Sequence, residues 1–464
     1  MIKIFNHFFH GRTLLRAALE MLFIFVAFFI ALLLQSNQSG MDMQTMLAGT
    51  GRSVLMGVSV LSVNFALGIY NRGVQKNTSQ IRVQFILSFL FFLAIAAGIL
   101  FFLPLPQPYG NFQVLLVLLA MSGTLLVFRL LTGHGLSFLY APHRILIFGA
   151  GVRAEAVGLS LQKHDPSIEL VGYLPSPQEK EILVPDNKIL GGSQSLTQLV
   201  KTHHVDEIVV ALSERRGGSM PLRELLDCKL SGVQVVDIAT HFEQFLGQIR
   251  LDAVSAGWLI FGGGFEQGLL RSVVKWIFDF FGALLLLILG APVMVLAALL
   301  IFMESKGAIL YRQERVGLQG RTFNVIKFRS MYVDAEKDGT PRWATVGDPR
   351  ITRVGKWIRK TRIDELPQLF SVLKGDMSLV GPRPERPFFV EKLIQEIPFY
   401  AARHSVKPGL TGWAQVRYHY GSSVEDTQQK LQYDLYYVKN NSWFMDLVIL
   451  FETVGVVLTG KGAQ

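Results

Sequence analysis

The sequence contains a single cysteine, Cys228, and few charged residues for its length. One cysteine excludes an intramolecular disulfide framework and any metal site built from several cysteines. Charged residues make up 17% of the 464 residues and hydrophobic residues 50%, which is too apolar for an ordinary soluble protein. A short signal peptide with a small-residue cleavage site is also absent, since the first apolar run is long enough to stay in a bilayer. These features favour a membrane protein.

The charge balance is basic, with a formal net charge of +10. In an apolar chain, such an excess indicates anionic lipid or a phosphorylated substrate more often than nucleic acid. The basic residues are spread beside apolar anchors, a pattern that fits a nucleic-acid binder poorly. We therefore expect membrane lipids among the partners and no nucleic acid.

Four apolar segments occupy the first third of the chain, at residues 13–34, 53–70, 83–103 and 112–131. Each is close to the ~20 residues that a membrane-spanning helix needs. Basic residues lie before the first segment and between the second and third, whereas the loop between the third and fourth has none. The positive-inside rule then predicts a four-helix transmembrane bundle, residues 1–140, with both ends in the cytoplasm. Glu20, within the first segment, is interpreted as a helix–helix hydrogen-bonding group, with a functional carboxylate as the alternative.

A fifth apolar run covers residues 276–303 and is long enough to cross a membrane. Basic residues flank both of its ends, and Pro292 follows Gly290 near its middle. A proline inside a helix removes a backbone hydrogen bond and bends the helix. We predict a re-entrant helix at about residues 272–304 that breaks at Pro292 and returns to the same face. The alternative is a kinked fifth span.

A soluble α/β domain is predicted between these apolar parts, at residues 141–250, followed by a linker at 251–268. The stretch "HRILIFGAGVRAEAVGLSLQ" from His143 reads as a strand, a Gly149-x-Gly151 turn and a helix, the setting of a dinucleotide-binding fingerprint. Further strands are expected at residues 168–174, 206–212 and 233–238, which gives a parallel, doubly wound, Rossmann-like sheet. The second strand ends without the acid that would hold a ribose. We therefore expect no bound cofactor and a role in assembly or sensing.

The last part of the chain, residues 269–464, contains a basic stretch that ends in two adjacent acids, Asp364 and Glu365. Thr361-x-x-Asp364 has the spacing of a capping box, which predicts a helix starting there. Just before it, apolar residues share one helical face and basic residues share the other, a pattern typical of an interfacial helix. The apolar residues are Ile351, Val354, Trp357 and Ile358. The apolar tail from Trp443, which contains Asp446 and Glu452, shows a similar pattern.

Four unusual motifs follow one another in this region. They are "RQERVGLQGRTFNVIKFRSM" (312–331), "GDPRITRVGKWIRKTRIDELPQLFSVLKGDMSLVGPRPE" (347–385), "KPGLTGWAQV" (407–416) and "YDLYYVKNNSWFMDLVILFETV" (433–454). In these motifs the sequence resembles the polyisoprenyl-phosphate hexose-1-phosphate transferases of bacterial surface-polysaccharide synthesis. The layout of the whole chain is similar to the large members of that family. The resemblance implies a mostly α-helical catalytic domain with a re-entrant membrane helix, in which Ala291 stands where the family usually has serine before the proline.

The resemblance implies transfer of a sugar 1-phosphate from a UDP-sugar to undecaprenyl phosphate, with release of UMP. This reaction would initiate a repeat unit of an exopolysaccharide, capsule or O-antigen. The enzyme would lie in the bacterial inner membrane as a multi-pass protein, with its catalytic domain facing the cytoplasm, and we expect a homodimer. The alternative is a membrane-anchored nucleotide-sensing or scaffold protein with a degenerate C-terminal domain.

The resemblance also assigns roles within the site. It implies a covalent phospho-sugar intermediate on Asp364, with Glu365 at the metal or assisting it, and Mg²⁺ held by the two carboxylates. Cations must neutralise the phosphates of both substrates. The cations that lie within the motifs, and that we expect to bind substrate phosphate, are Lys327, Arg329 and Arg383.

Overall fold

The computed structural model describes residues 2–4, 7–9, 15, 17–26, 30, 43–67, 69, 78–103, 119, 123, 126, 142–164, 168–179, 181–191, 195–212, 220–254, 257–258, 263–265, 268–333, 335, 348–418 and 423–459. They form a mixed α/β structure divided into two compact units. The first unit is His10–Leu246. The second is Gly247–Gln464 together with Ile2–Phe9, where β1 (Ile2–Ile4) and β2 (His7–Phe9) pair antiparallel.

Apolar helices make up the beginning of the first unit. These are α1 (Ala17–Val26), α2 (Met43–Ala66) and α3 (Thr78–Phe102). Of the four predicted N-terminal spans, the third gives a helix long and apolar enough to cross a membrane, Gln84–Phe102, and the first gives a shorter apolar helix. The predicted fourth span, 112–131, lies outside the described residues apart from 119, 123 and 126. The four-helix transmembrane bundle therefore stays a prediction.

A buried polar contact joins these three helices. The Asn64 side-chain amide donates to Glu20 Oε2 over 2.8 Å, and Ser88 Oγ donates to the amide oxygen of Asn64. Polar side chains between apolar helices commonly hydrogen-bond across the helix interface, because an unpaired polar group there is costly. The interpretation of Glu20 as a helix–helix hydrogen-bonding group is confirmed.

The rest of the first unit is a four-stranded, entirely parallel sheet of order β4-β3-β5-β6. Its elements, in chain order, are β3 (His143–Phe148), α4 (Val152–His164), β4 (Ile168–Leu174), α5 (Leu196–Thr202), β5 (Glu207–Val210), α6 (Leu222–Leu230), β6 (Gln234–Asp237) and α7 (Ile238–Leu246). Alternation of buried strands with helices produces this parallel arrangement. The predicted Rossmann-like sheet is confirmed, and its four strands lie where the apolar runs placed them.

A hydrophobic cluster lies against this sheet. Its members include residues of the strands and of α5 and α6, among them Leu146, Ile208, Leu196, Leu225 and Cys228. Cys228 is 1% exposed, and burial raises the pKa of its thiol. The only cysteine of the chain therefore behaves as a small core residue.

The longest described element of the second unit is the apolar helix α8 (Leu269–Glu304), of 36 residues. Pro292 lies inside this helix and does not end it, so the predicted bend at Pro292 and the return to the same face stay predictions. A proline removes only its own N–H group from the helical ladder, and helical structure continues on both sides of it. Residues 247–250, which the sequence analysis places in the α/β domain, group with this second unit.

One face of α8 packs on the second unit along the length of the helix. Near the start, Asp279 Oδ1 accepts hydrogen bonds from the Leu379 N–H and the Ser378 hydroxyl, each over 3.0 Å. At the end, Glu304 Oε1 accepts from the N–H groups of Arg353 and Val354 over 2.7 and 3.1 Å. The opposite face is apolar and exposed.

The remaining elements of the second unit are shorter than α8. In chain order they are β7 (Leu310–Val316), β8 (Thr322–Phe328), α9 (Arg353–Lys360), α10 (Leu369–Lys374), β9 (Ser378–Val380), α11 (Pro387–Glu396), β10 (Gly409–Thr411), α12 (Trp413–Arg417), α13 (Val424–Asn440) and α14 (Trp443–Thr459). Strands β7 and β8 form an antiparallel hairpin, and β9 pairs in parallel with β10. Two 3₁₀ helices, Ile363–Gln368 and Tyr400–Ser405, connect α9 to α10 and α11 to β10.

Two apolar patterns that predict interfacial helices are used partly inside the protein, although Trp357 of the first is 46% exposed and Trp443 of the second is 45% exposed. On α9, Ile358 is fully buried in a core with Ala297 and Ile301 of α8, and Val354 packs against it. On α14, Asp446 pairs with Lys275 over 2.8 Å and Glu452 pairs with Arg417 over 2.8 Å. The buried acids that interrupt the apolar tail are thus neutralised by partly buried cations, as buried charges require, and do not mark a polar face.

Candidate active site

The acid pair lies in a sharp turn after α9. The Thr361 hydroxyl donates to the Trp357 carbonyl over 3.0 Å, so Thr361 closes the preceding helix. Arg362 then adopts a left-handed conformation with φ of 59°, which is uncommon for a residue with a side chain. Asp364 and Glu365 follow in the first turn of the 3₁₀ helix Ile363–Gln368. The capping-box prediction is wrong, because the hydroxyl is already used by the carbonyls behind it.

Glu365 is surrounded by three cations. Its Oε1 lies 2.6 Å from Arg383 Nη2, 3.6 Å from Lys327 Nζ and 3.7 Å from Arg362 Nη1. Burial by itself would raise the pKa of Glu365, but the charges of Arg383, Lys327 and Arg362 outweigh it and hold the pKa well below its usual range. Glu365 is therefore ionised and orients these cations.

Asp364 is buried beside Glu365, but its surroundings differ from those of Glu365. Its Oδ1 is buried and has no hydrogen-bond partner among the residues that the structure describes. Burial, and then the adjacent charge of Glu365, raise the pKa of Asp364 to about 6, against the opposing effect of Lys327 and two arginines. A buried carboxylate oxygen without a partner is costly, and such atoms commonly mark functional positions.

Two of the three predicted phosphate-binding cations meet at the acid pair. Lys327 lies on β8, where it pairs with Tyr311 of β7, and Arg383 lies in the loop after β9. Burial, and then the charges of Arg383 and Arg315, lower the pKa of Lys327 to about 8, although Glu365 opposes the shift. Three cations, counting Arg362, therefore face two carboxylates.

The third predicted cation, Arg329, makes other contacts. Its guanidinium donates to the Ser305 carbonyl over 2.7 Å and to the Lys306 carbonyl over 3.0 Å. These carbonyls follow the end of α8, where backbone acceptors are otherwise unpaired. The contacts explain Arg329 as a support for this helix end, and its phosphate-binding role stays a prediction.

The acid pair is held against the apolar helix. Ile363, just before the pair, packs on the cluster formed by Ala297, Ile301, Phe328 and Ile358. Leu366, just after it, lies close to Gly290, where an added Cβ would be 3.8 Å from Leu366 Cδ1. The charged site is therefore carried beside the middle and second half of α8.

A hard cation such as Mg²⁺ fits the donor groups of this site. Asp364 and Glu365 offer carboxylate oxygens, the ligand type that Mg²⁺ prefers, and the unpartnered Asp364 Oδ1 is one of them. Among the described residues, no three or more histidine, cysteine or acidic side chains come together in a metal-binding group. Substrate phosphates and water would have to complete the coordination, which is usual for Mg²⁺.

The turn of the α/β domain does not fit a dinucleotide. The N–H groups of Ala150 and Gly151, which would face a pyrophosphate, donate to the Glu179 carboxylate over 2.8 and 3.1 Å. The Ser176 N–H donates to the same carboxylate over 3.2 Å. Glu179 therefore occupies the position that a phosphate takes in this fold, and this agrees with the missing ribose acid.

Sequence reasoning missed several residues around the site. Arg315 lies within a quoted motif but was not singled out, and it donates to the Pro384 carbonyl over 2.9 Å. Arg403 and Glu179 had no signal in the spacing of residues, because their partners are distant in sequence. Arg362 belongs to the basic stretch before the acid pair, where nothing in the sequence distinguishes it from its basic neighbours.

Comparison with known proteins supports one family for the second unit. The family described as "Bacterial sugar transferase" matches residues 270–460. The UDP-N-acetylgalactosamine-undecaprenyl-phosphate N-acetylgalactosaminephosphotransferase of Aeromonas hydrophila is 43% identical over 242 residues, 52% of this chain and 56% of that protein. The UDP-glucose:undecaprenyl-phosphate glucose-1-phosphate transferase of Escherichia coli K12 is 32% identical over 299 residues, 64% of this chain and 63% of that protein.

This chain covers a larger share of a third relative. The UDP-glucose:undecaprenyl-phosphate glucose-1-phosphate transferase of Caulobacter vibrioides is 45% identical over 192 residues, 41% of this chain and 71% of that protein. The chain therefore belongs to the bacterial sugar transferase family, the polyisoprenyl-phosphate hexose-1-phosphate transferases that its motifs resemble. It matches less than two thirds of the length of the Aeromonas and Escherichia proteins.

Proposed function

We propose that this protein transfers a sugar 1-phosphate from a UDP-sugar to undecaprenyl phosphate, giving undecaprenyl-diphosphate-sugar and UMP. The product would be the first lipid-linked intermediate of a polysaccharide repeat. The observation that carries the proposal is the buried pair Asp364–Glu365, ringed by Lys327, Arg362 and Arg383 and held beside an exposed apolar helix. The names of the relatives agree with this reaction.

Asp364 is the proposed nucleophile. In the first half-reaction its carboxylate oxygen attacks the β-phosphorus of the donor, and the bond to the α-phosphate breaks, so UMP leaves. In the second, an oxygen of the lipid phosphate attacks the same phosphorus and displaces the Asp364 carboxylate. A covalent intermediate divides one difficult displacement into two easier ones. The unpartnered Oδ1 supports this role, since no hydrogen bond among the described residues holds it back.

Glu365 and the three cations would bind and orient the phosphates. Three cations against two carboxylates leave a surplus of about one positive charge, less than a diphosphate carries. When bound at the carboxylates, Mg²⁺ would supply the missing positive charge. Arg383 has a planar guanidinium that suits phosphate oxygens, and its side chain is 35% exposed, so a ligand can reach it.

The packing of α8 supports a membrane helix that enters and leaves on one side. A straight helix of this length would be about 54 Å long at ~1.5 Å per residue. Asp279 near its start and Glu304 at its end both bind backbone N–H groups of the second unit. A helix that crosses a bilayer separates its two ends by at least about 30 Å of hydrocarbon. Contact of both ends with one polar unit therefore favours re-entry, with the active site at headgroup level.

Labelling of introduced cysteines tests this topology. Gly268→Cys and Lys306→Cys, each in a Cys228→Ala background, place a thiol just before and just after α8. Because both ends of the helix are held by the same unit, we expect a membrane-impermeant maleimide to label both from the cytoplasmic side in oriented vesicles.

Two further cysteines calibrate this measurement. Gln178→Cys, exposed in the α/β domain, should be labelled from the cytoplasmic side. Gln107→Cys, in the loop that the charge pattern places outside, should be labelled from the opposite side. Labelling of residues 268 and 306 from opposite faces would make α8 a true span and contradict the re-entrant arrangement.

Release of UMP from UDP-sugars tests the proposed reaction. The full-length protein in detergent, given undecaprenyl phosphate and Mg²⁺, should release UMP from at least one of UDP-glucose, UDP-galactose, UDP-N-acetylglucosamine and UDP-N-acetylgalactosamine. A panel is needed because the relatives differ in the sugar that their names state. Release should require the lipid phosphate for continued turnover and should stop with EDTA and resume with Mg²⁺. A folded protein that releases no UMP from any donor would support the scaffold alternative.

A further inference from the structure

The loop that carries Arg383 is held at every backbone carbonyl. The carbonyls of Pro382 and Glu385 accept from the N–H groups of Gly409 and Val316, over 3.0 and 2.9 Å. The carbonyls of Arg383 and Pro384 accept from two guanidinium groups, those of Arg403 and Arg315, each over 2.9 Å. Pro382 and Pro384 also restrict φ to about −65°. The segment Pro382–Glu385 is therefore fixed on all sides.

Arg403 is the more deeply buried of the two supporting arginines. It lies in the 3₁₀ helix Tyr400–Ser405 and is 6% exposed. Its Nη1 donates to the Tyr400 hydroxyl over 2.7 Å, and its Nη2 donates to the Arg383 carbonyl and lies 2.7 Å from Asp434 Oδ2. Asp434, on α13, is 3% exposed. A buried charge needs such a partner, so Asp434 both neutralises Arg403 and sets the plane of its guanidinium.

The side chain of Arg383 lies in the active site. Its carbonyl is bound by Arg403, while its side chain reaches Glu365 Oε1 over 2.6 Å. A shift of the backbone at Arg383 would therefore move its guanidinium away from Glu365 and from the phosphate position. A misplacement of about 1 Å in an active site can cost about 100-fold in rate.

We propose that Arg403, oriented by Asp434, is a positioning residue that fixes Arg383 for phosphate binding. This inference rests on the proposed transferase function, in which Arg383 contacts the donor phosphates. Arg403 itself acts through the Arg383 carbonyl and does not contact Glu365. A planar guanidinium can bind the tyrosine hydroxyl, the carbonyl and the carboxylate together, whereas a lysine ammonium offers no such planar fork.

Turnover of the full-length protein tests this role through a double-mutant cycle. Arg403→Lys should lower kcat about 10- to 100-fold in the UMP-release assay. In an Arg383→Lys background, the same change should have little further effect, because the side chain that Arg403 positions has already been altered. Effects that multiply in full would show that Arg403 only supports the fold, and would overturn the proposal.

Arg417→Lys is the matched control. Arg417 also pairs with a buried acid of this unit, Glu452, and lies over Trp413, but its described contacts do not include the segment Pro382–Glu385. Its effect on kcat, whatever its size, should multiply with that of Arg383→Lys. If Arg403→Lys does not fold, Tyr400→Phe removes only one acceptor of Arg403 and should give a smaller loss that likewise vanishes in the Arg383→Lys background.

A chemical measurement tests positioning without turnover. Phenylglyoxal modifies arginine side chains, and peptide mass spectrometry gives the rate at Arg383 alone. Arg403→Lys should raise this rate several-fold, because Arg383 is no longer held against Glu365, while Arg417→Lys should leave it unchanged. An unchanged rate in Arg403→Lys would overturn the positioning role even if the wild-type protein released no UMP. An absence of UMP with a raised rate would reject the transferase function alone.

Discussion

Asp364→Asn is expected to reduce sugar-phosphate transfer by more than about 1,000-fold, the scale of loss seen when a covalent nucleophile is removed. The amide is nearly isosteric with the carboxylate but is a poor nucleophile toward phosphorus. Because Asp364 Oδ1 has no hydrogen-bond partner among the described residues, the change breaks no contact seen there at that atom. We therefore expect the melting temperature to stay the same or rise, since a buried charge is removed.

The matched control is Asp376→Asn. Asp376 is partly exposed and pairs with Lys374 over 2.9 Å, and loss of a surface ion pair costs at most about 1 kcal/mol. Its transfer activity should be close to that of the wild type. An Asp364→Asn protein that kept more than a few per cent of activity would exclude the covalent role.

Glu365→Gln is the second change with a large expected effect. It removes the charge that Arg383, Lys327 and Arg362 share at Oε1, so the cations would repel one another and move apart. Loss of such preorganised charge typically costs about 100- to 1,000-fold in rate. Unlike Asp364→Asn, this variant should also be less stable, because three partly buried cations lose their partner.

Activity and thermal unfolding, measured together, separate these two acids. Glu396→Gln is the control, since Glu396 pairs with Lys392 at 3.7 Å on the exposed part of α11. It should leave both quantities nearly unchanged. A Glu365→Gln protein with normal activity would show that the cations bind phosphate without Glu365, and a rise in its melting temperature would contradict the stabilising role of this ion cluster.

Features that depend on local periodicity were predicted well from the sequence. The strand, turn and helix from His143 and the three later strands form a parallel sheet, because buried strands alternating with helices have few other solutions. Lys327 and Arg383 were predicted to lie at the acid pair because they belong to the family motifs. Nothing in their spacing along the chain requires them to meet there.

Features that depend on tertiary partners were not predicted. The hydroxyl of Thr361 could cap the next helix or bond to the end of the previous one. It bonds to the previous helix, and the chain turns at the left-handed Arg362 before the next one. The apolar face of α9 could meet a membrane or a protein core. Helix α8 buries Ile358 and packs against Val354, whereas Trp357 stays exposed. Local pattern permits both outcomes in each case, and only long-range packing selects one.

The contacts of Arg403 and Glu179 were beyond the sequence for a related reason. Asp434 and the Arg383 carbonyl lie far from Arg403 along the chain. The fingerprint turn at Gly149 predicts an anion-binding position, but not that Glu179 of the same chain would fill it. Such pairings are set by the fold as a whole.

Trapping of the phospho-sugar on the enzyme tests the central claim most directly. The full-length protein would be incubated with its UDP-sugar donor, radiolabelled in the β-phosphate, and Mg²⁺ without lipid acceptor, quenched rapidly and digested for mass spectrometry. The proposed chemistry predicts a sugar phosphate on the peptide that contains Asp364, about one UMP released per chain, and neither result in Asp364→Asn. Formation of lipid-linked product on adding undecaprenyl phosphate, with no label on that peptide beforehand, would contradict it.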